Sequence, residues 1–359
     1  MCVECGKKCN NSCQKEKVIT KYGLPEKKTV LNMRDPSALT AITVKNTVFV
    51  QKNGNDSTGL VERFDKPFLT IQAAETAALA AFASRTQTSR ILIKVESGNY
   101  TGPITINDFI DYDLGNSVIS NSSGSCIKDK TTAYTAVTNG AYSSIIYGNA
   151  TFVGSASSSG TLGVTSVNSG NLNLLIHCNQ IYGTSYEAVL LQTANVVIYA
   201  NKIYMDKNNT ATSQCINLAT SSDYVVNPSL EVYNAKIYTN QSGSTNSVIE
   251  FSNANPGLNE NYSKLMLVNC EVGSWSTTRP AINGDHTGTG FGQLTLKNVI
   301  IYTSAGACIG DDSAPSILKV YAYGLYANRN YVFGNISSAF VVGSLSLDVD
   351  VIFNQGNTI

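Results

Sequence analysis

The chain has 359 residues, 25 Lys+Arg against 25 Asp+Glu and a formal net charge of zero, which gives nucleic acid or an anionic membrane no electrostatic footing as a partner. Its 43% hydrophobic content is enough to fill a core, so a disordered chain is excluded. No run of 18 apolar residues occurs and no basic-then-apolar segment precedes Val30, so neither membrane insertion nor a cleaved leader is expected.

Residues 1–46 differ from the rest. They hold four of the nine cysteines and a lysine series (Lys15, Lys17, Lys21, Lys27, Lys28) with little alternation, and read as an attachment arm. Cys2, Cys5, Cys9 and Cys13 are spaced 3, 4 and 4 apart, which would put them on one face of a helix. Closely spaced thiolates also suit a zinc clip, or disulfides between identical arms in an oxidising compartment. Gly6, Asn10 and Asn11 oppose the helix, and the lack of a longer intervening loop opposes zinc.

Residues 47–106 read as a cap made of a strand, the capping helix and the first rungs. Thr47–Val50 is a strand, Asn53–Asp56 a turn, and the Ala-rich stretch from Gln72 to about Ser84 a helix expected to lie as an apolar plug. Ile91–Val95 is a strand, Gly98–Tyr100 a turn, and Ile104–Ile106 is expected to begin a series of coils. The turn Asn53-Gly54-Asn55-Asp56-Ser57, the stretch Lys66-Pro67-Phe68-Leu69-Thr70-Ile71-Gln72-Ala73-Ala74 and the later Val95-x-x-Gly98-x-Tyr100 resemble the entry to pectin-lyase-like right-handed parallel β-helices. The resemblance rests on motifs over residues 47–106 and on periodicity beyond. It implies a helix capping the open end of a solenoid. It also implies two kinds of relative, polysaccharide lyases and hydrolases on one side and bacteriophage tailspikes and virion fibres on the other. An arm ahead of the cap looks more like the phage members, and with them come the expectations of a homotrimer, of other virion proteins bound through residues 1–46, and of a host-surface polysaccharide as a contact.

Residues 107–359 carry a cadence that returns six times: aliphatic, any, aliphatic, any, small or Asn, two residues, aliphatic. It starts as Leu174-x-Ile176-x-Cys178-x-x-Ile181 and ends as Leu318-x-Val320-x-Ala322-x-x-Leu325, with steps of 22, 34, 35, 29 and 24 residues. The period-2 part is a strand buried on one face, the skip is a corner, and such steps suit the coils of a solenoid. At a sheet spacing of about 4.8 Å, roughly ten rungs between Ile104 and Phe353 make a column about 50 Å tall. Asn179, Asn201, Asn234, Asn269 and Asn298 sit at or one past the skip, where Asn tolerates a left-handed bend and amides of stacked coils can ladder. Their position shifts by one between early and late coils. The cadence gives an all-β solenoid, and the resemblance implies that it is a right-handed parallel β-helix with an N-terminal capping helix and a preceding extended arm.

Three sets of residues carry candidate chemistry. Tyr182, Tyr204, Tyr238, Tyr302 and Tyr326 each follow a coil's last aliphatic, with Gly273 in the odd coil, so alternation turns them outward. They suit a subunit interface, a glycan contact or a plain strand surface. Among possible catalytic groups, Asp285 beside His286, and the pair Asp311 and Asp312 in the next loop, would meet the two-carboxylate requirement of glycosidases, though Gly- and Asp-rich segments are ordinary turns. Lyase chemistry would call on Arg279, and His177 faces outward between Ile176 and Cys178. The run Gly288-x-Gly290-x-Gly292 lacks the strand-to-helix setting of a phosphate loop. The remaining cysteines, Cys126, Cys178, Cys215, Cys270 and Cys308, are expected to be reduced, Cys178 as a small core hydrophobe. These readings lead to a virion fibre or spike that is not an enzyme, with a polysaccharide-depolymerising tailspike as the alternative and no cofactor other than zinc at the arm.

Overall fold

A computed structural model describes residues 46–154, 160–184, 187–206, 214–220, 227–239, 247–253, 263–274, 279–284, 292–303, 307–310, 316–328, 333, 336–341 and 345–347. The arm and its cysteine quartet lie outside the described residues.

The cap forms because one carboxylate organises it. Asp56 accepts hydrogen bonds from the backbone N–H of Leu69 (2.8 Å) and Thr70 (3.0 Å) and from the Thr70 hydroxyl (2.8 Å). Thr70 in turn caps the helix Ile71–Ala81, its Oγ1 accepting from the Ala73 N–H at 3.2 Å. The turn needs Gly54, since a Cβ there would sit 2.2 Å from the Phe68 carbonyl oxygen. The helix ends three residues before the expected Ser84, at Ala81, where Phe82 leaves helical geometry (φ −123°, ψ 52°). Ile71, Ala74 and Ala78 are buried as expected of a plug, but so is Glu75, which the apolar reading did not anticipate. Its Oε1 lies 2.9 Å from the Thr105 N–H and 3.0 Å from the Tyr112 hydroxyl, which is also 2.9 Å from the Thr105 carbonyl. One hydroxyl proton cannot serve two acceptors, and a protonated Glu75 resolves the conflict by donating to Tyr112. Burial does push the Glu75 carboxyl up, to about 8.

Beyond the cap the rungs are built from short parallel strands on up to three faces, with seven third-face strands among the described residues. First-face strands run from Ile91–Val95 through Ile110–Asp113, Ser144–Tyr147, Asn173–His177, Asn195–Tyr199, Ser229–Tyr233 and Ser263–Val268 to the first halves of Gly292–Thr303 and Ser316–Ala327, then Ile336–Val341. Second-face strands include Gln180–Gly183, Lys202–Met205, Lys236–Thr239 and Glu271–Ser274, and third-face strands run from Ile104–Ile106 to Ile282–Gly284. This is a right-handed parallel β-helix of ten stacked rungs, counted on the first face.

Three columns of apolar side chains, one per face, fill it. The first reads Ile146, Ile176, Ile198, Val232, Leu267, Leu296, Ala322, each opposite the next and each fully buried. Phe152, Ile181, Ile203, Ile237, Val272 and Ile301 form the second, and Ile127, Leu162, Val189, Ile216, Ile249 and Ile282 the third. Burial of each such side chain contributes about 1.5–3 kcal/mol. Cys126, Cys178, Cys215, Cys270 and Cys308 are buried free thiols within this interior.

Three expectations change. The first rung begins at Ile91 rather than Ile104, because Ile91–Val95 already pairs with Thr47–Val50 below and Ile110–Asp113 above, and Asn99–Thr101 is a strand rather than a turn. The sixth cadence is offset by two residues: Leu294 faces Val320 and Val299 faces Leu325, so Tyr326 lies opposite Ile300, not Tyr302. The cause is the corner. Gly324 (φ 78°) takes the left-handed position opposite Asn298, displacing Ala322 from it. Finally, Asn234, Asn269 and Asn298 are left-handed (φ 61°, 53° and 53°), while Asn179 and Asn201 keep ordinary φ, so the bend explains only the late asparagines.

Candidate surface-contact site on two aromatic ladders

Strand alternation places the tyrosines outside, and parallel in-register pairing then puts them one above another. Tyr182 stacks on Tyr204 with ring centroids 5.0 Å apart and planes 8° apart, and Tyr204 meets Tyr238 at 4.6 Å with a 40° tilt. Tyr302 and Tyr326 form a separate edge-to-face pair at 6.3 Å. Gly273 stands between the two groups, opposite Tyr238 on one side and Tyr302 on the other.

A second ladder, absent from the sequence reading, runs up the end of the first face. His177, Tyr199 and Tyr233 lie opposite one another; His177 is edge-on to Tyr199 at 6.2 Å, and Tyr199 stacks on Tyr233 at 4.6 Å and 13°. The signal was present in the cadence, as the residue after each second aliphatic. Between the two ladders runs the corner, where asparagine amides are laddered in two sections. Asn201 donates to Asn179 at 3.1 Å; above, Asn298 donates to Asn269 and Asn269 to Asn234, both at 3.3 Å.

This geometry sets what the surface can do. Rings stacked at these distances cover one another's faces, so the strip offers edges and hydroxyls to a partner. The Tyr182 hydroxyl donates to Asp206 at 3.1 Å and that of Tyr233 to Glu231 at 2.7 Å. Desolvation, with Asp206 and the adjacent tyrosines adding to it, pushes Tyr204 up to about 12, so the phenol remains a donor at neutral pH. Lys202 and Lys236 border the column, and Lys236 pairs with Glu271 at 3.1 Å.

Asp285, His286, Asp311 and Asp312 lie outside the described residues, as do Cys2, Cys5, Cys9 and Cys13. His177 is exposed and in contact with an aromatic edge, as a surface strand histidine should be. Burial raises the thiols of Cys126 and Cys178 to about 12, which leaves them unreactive as nucleophiles or ligands. The third face holds a polar network that sequence reading missed because its strands lie outside the cadence. There the Asn217 amide donates to Glu187 at 3.3 Å, and Gln214 donates to Glu250 with the same diagonal offset one rung higher. Glu187 is 1% exposed, which makes it a structural tie rather than a group open to substrate.

Among the described residues, no group of three or more His, Cys, Asp or Glu side chains could hold a metal ion, and no helix is long and apolar enough to cross a membrane. Compared with protein-family models, curated proteins and solved structures, the chain matches none.

Proposed function

We propose that this chain is a structural fibre or spike protein of a bacteriophage particle, held by residues 1–46 and projecting its β-helix, as a homotrimer, toward a host surface. The observation that carries the reading is the pair of aromatic ladders on adjoining faces of a rigid ten-rung column. Tyrosine edges and hydroxyls on such a strip suit contact with a protein or glycan at that host surface. The phage setting and the trimer come from the resemblance of residues 47–106. Removing residues 1–30 should leave a folded solenoid that no longer joins particles; a truncated chain that still attaches would sink the arm assignment.

The alternative, a polysaccharide-depolymerising spike, rests on Asp285, Asp311 or Asp312 as acid/base groups, all of which lie outside the described residues. The test is release of reducing ends or unsaturated products from host polysaccharide, and product formed by the parent but not by an Asp285→Ala, Asp311→Ala variant would favour cleavage.

A further inference from the structure

The second-face column reads Tyr182, Tyr204, Tyr238, Gly273, Tyr302 in register, so one side chain is missing from an otherwise continuous aromatic ladder. Glycine weakens a strand interior and is kept there where something must approach the backbone closely. Gly273 has no positive φ to require it. A Cβ on Gly273 would meet only Tyr238 Cβ, at 3.6 Å, an ordinary contact, with open space otherwise. Tyr238 and Tyr302 are two sheet spacings apart, about 9.5 Å. No ring contact among the described residues joins them, and Tyr302 is 40% exposed. A ring lying between two aromatic faces needs about 3.5–4 Å on each side, some 7–8 Å in all. The gap therefore admits one ring, and the tilt of Tyr238 out of the lower stack can take up the remainder.

We propose that Tyr238, Gly273 and Tyr302 form a slot that binds a single hexopyranose residue whose hydroxyls are all equatorial, as in a gluco-configured unit of a host-surface glycan. Such a ring presents axial C–H on both faces, matching two tyrosine faces, and hydroxyls around its rim. The rim of the slot is polar: the Lys236 and Glu271 side chains, 60% and 40% exposed, pair beside it and supply donors and an acceptor. An aromatic protein side chain would fill the height but leave those rim groups unused. An axial hydroxyl, as in manno-configured sugars, would press a polar group against a tyrosine face without a partner. The slot rests on the reading that the ladder face meets a host surface and names the ligand of that contact.

The test uses the full chain in saturation-transfer NMR and calorimetry with a β-1,4-linked glucose tetrasaccharide and, as control, a β-1,4-linked mannose tetrasaccharide. The glucose form should bind at least about tenfold more tightly. Gly273→Tyr, which completes the ladder, should lower glucose binding by about tenfold or more, and Tyr302→Ala, which removes one wall at an exposed position, should weaken it several-fold. Should Gly273→Tyr not fold, Tyr302→Ala alone decides. Equal binding of the two sugars, unchanged binding by the variants, or no binding by the parent chain would overturn the slot. A trimer that joins particles yet ignores the glucose tetrasaccharide overturns the slot and spares the fibre reading; a monomer that binds it does the reverse.

Discussion

The capped end and the middle of this column are held by different means. At the capped end, Arg90 grips Asp111 through two bonds of 2.7 and 2.5 Å, reaches the carbonyls of Tyr142 and Ser143, and Asp111 also accepts the Ile145 N–H. Lys130 pairs with Asp108 at 2.6 Å, and Glu75 sits buried beneath the helix. In the middle, rungs repeat: tyrosine on tyrosine, asparagine on asparagine, aliphatic on aliphatic. The difference follows from position. An interior rung meets a like rung above and below, whereas the capped end meets the helix and its loops and, among the described residues, is held by ion pairs far less exposed than the Lys236–Glu271 pair of the middle.

Breaking the end should therefore cost more than breaking a ladder. Asp111→Ala leaves Arg90 buried without its charge partner and is expected to lose about 3–5 kcal/mol in urea unfolding. A loss below about 1 kcal/mol would place that pair with ordinary surface ion pairs. Glu75 gives the end a pH signature. Its carboxyl is raised from 4.5 to about 8 in the fold, so the folded state holds the proton more tightly than the unfolded chain. The stability it contributes is present below pH 4.5, falls as pH rises toward 8, and is level above, a change on the order of a few kcal/mol. Glu75→Gln keeps an acceptor for Thr105 and should flatten that slope, raising stability at pH 8; an unchanged profile would contradict the protonated state.

Ladder changes come lower. Tyr204→Ala removes two ring contacts and should cost about 1–3 kcal/mol. Gly324→Ala forces a side chain into a left-handed residue, 2.8 Å from Asn298 Oδ1, and should cost about 1–2 kcal/mol. If either matched Asp111→Ala in a denaturation series, the contrast between end and middle would fail.

The parts legible in sequence were those governed by alternation. Leu174, Ile176 and Ile181 announced their burial because period 2 leaves no other face for them, and Tyr204 announced its exposure for the same reason. What alternation does not encode is which rung stands opposite which. The offset of Leu318–Leu325 was set by Gly324, one left-handed residue whose glycine looks like any other in the chain. Glu75 was hidden by its Ala-rich surroundings, since its partners Thr105 and Tyr112 lie about 30 residues or more away in sequence. The third-face network escaped for a related reason: Glu187 and Asn217 meet only across a rung boundary.

As proposed, the column is one subunit of a trimeric fibre, its aromatic strip turned to the host surface. Native mass measurement of the full chain at micromolar concentration tests it most directly. A trimer is expected at three times the 38.3 kDa chain, and a stable monomer at 38.3 kDa would overturn it.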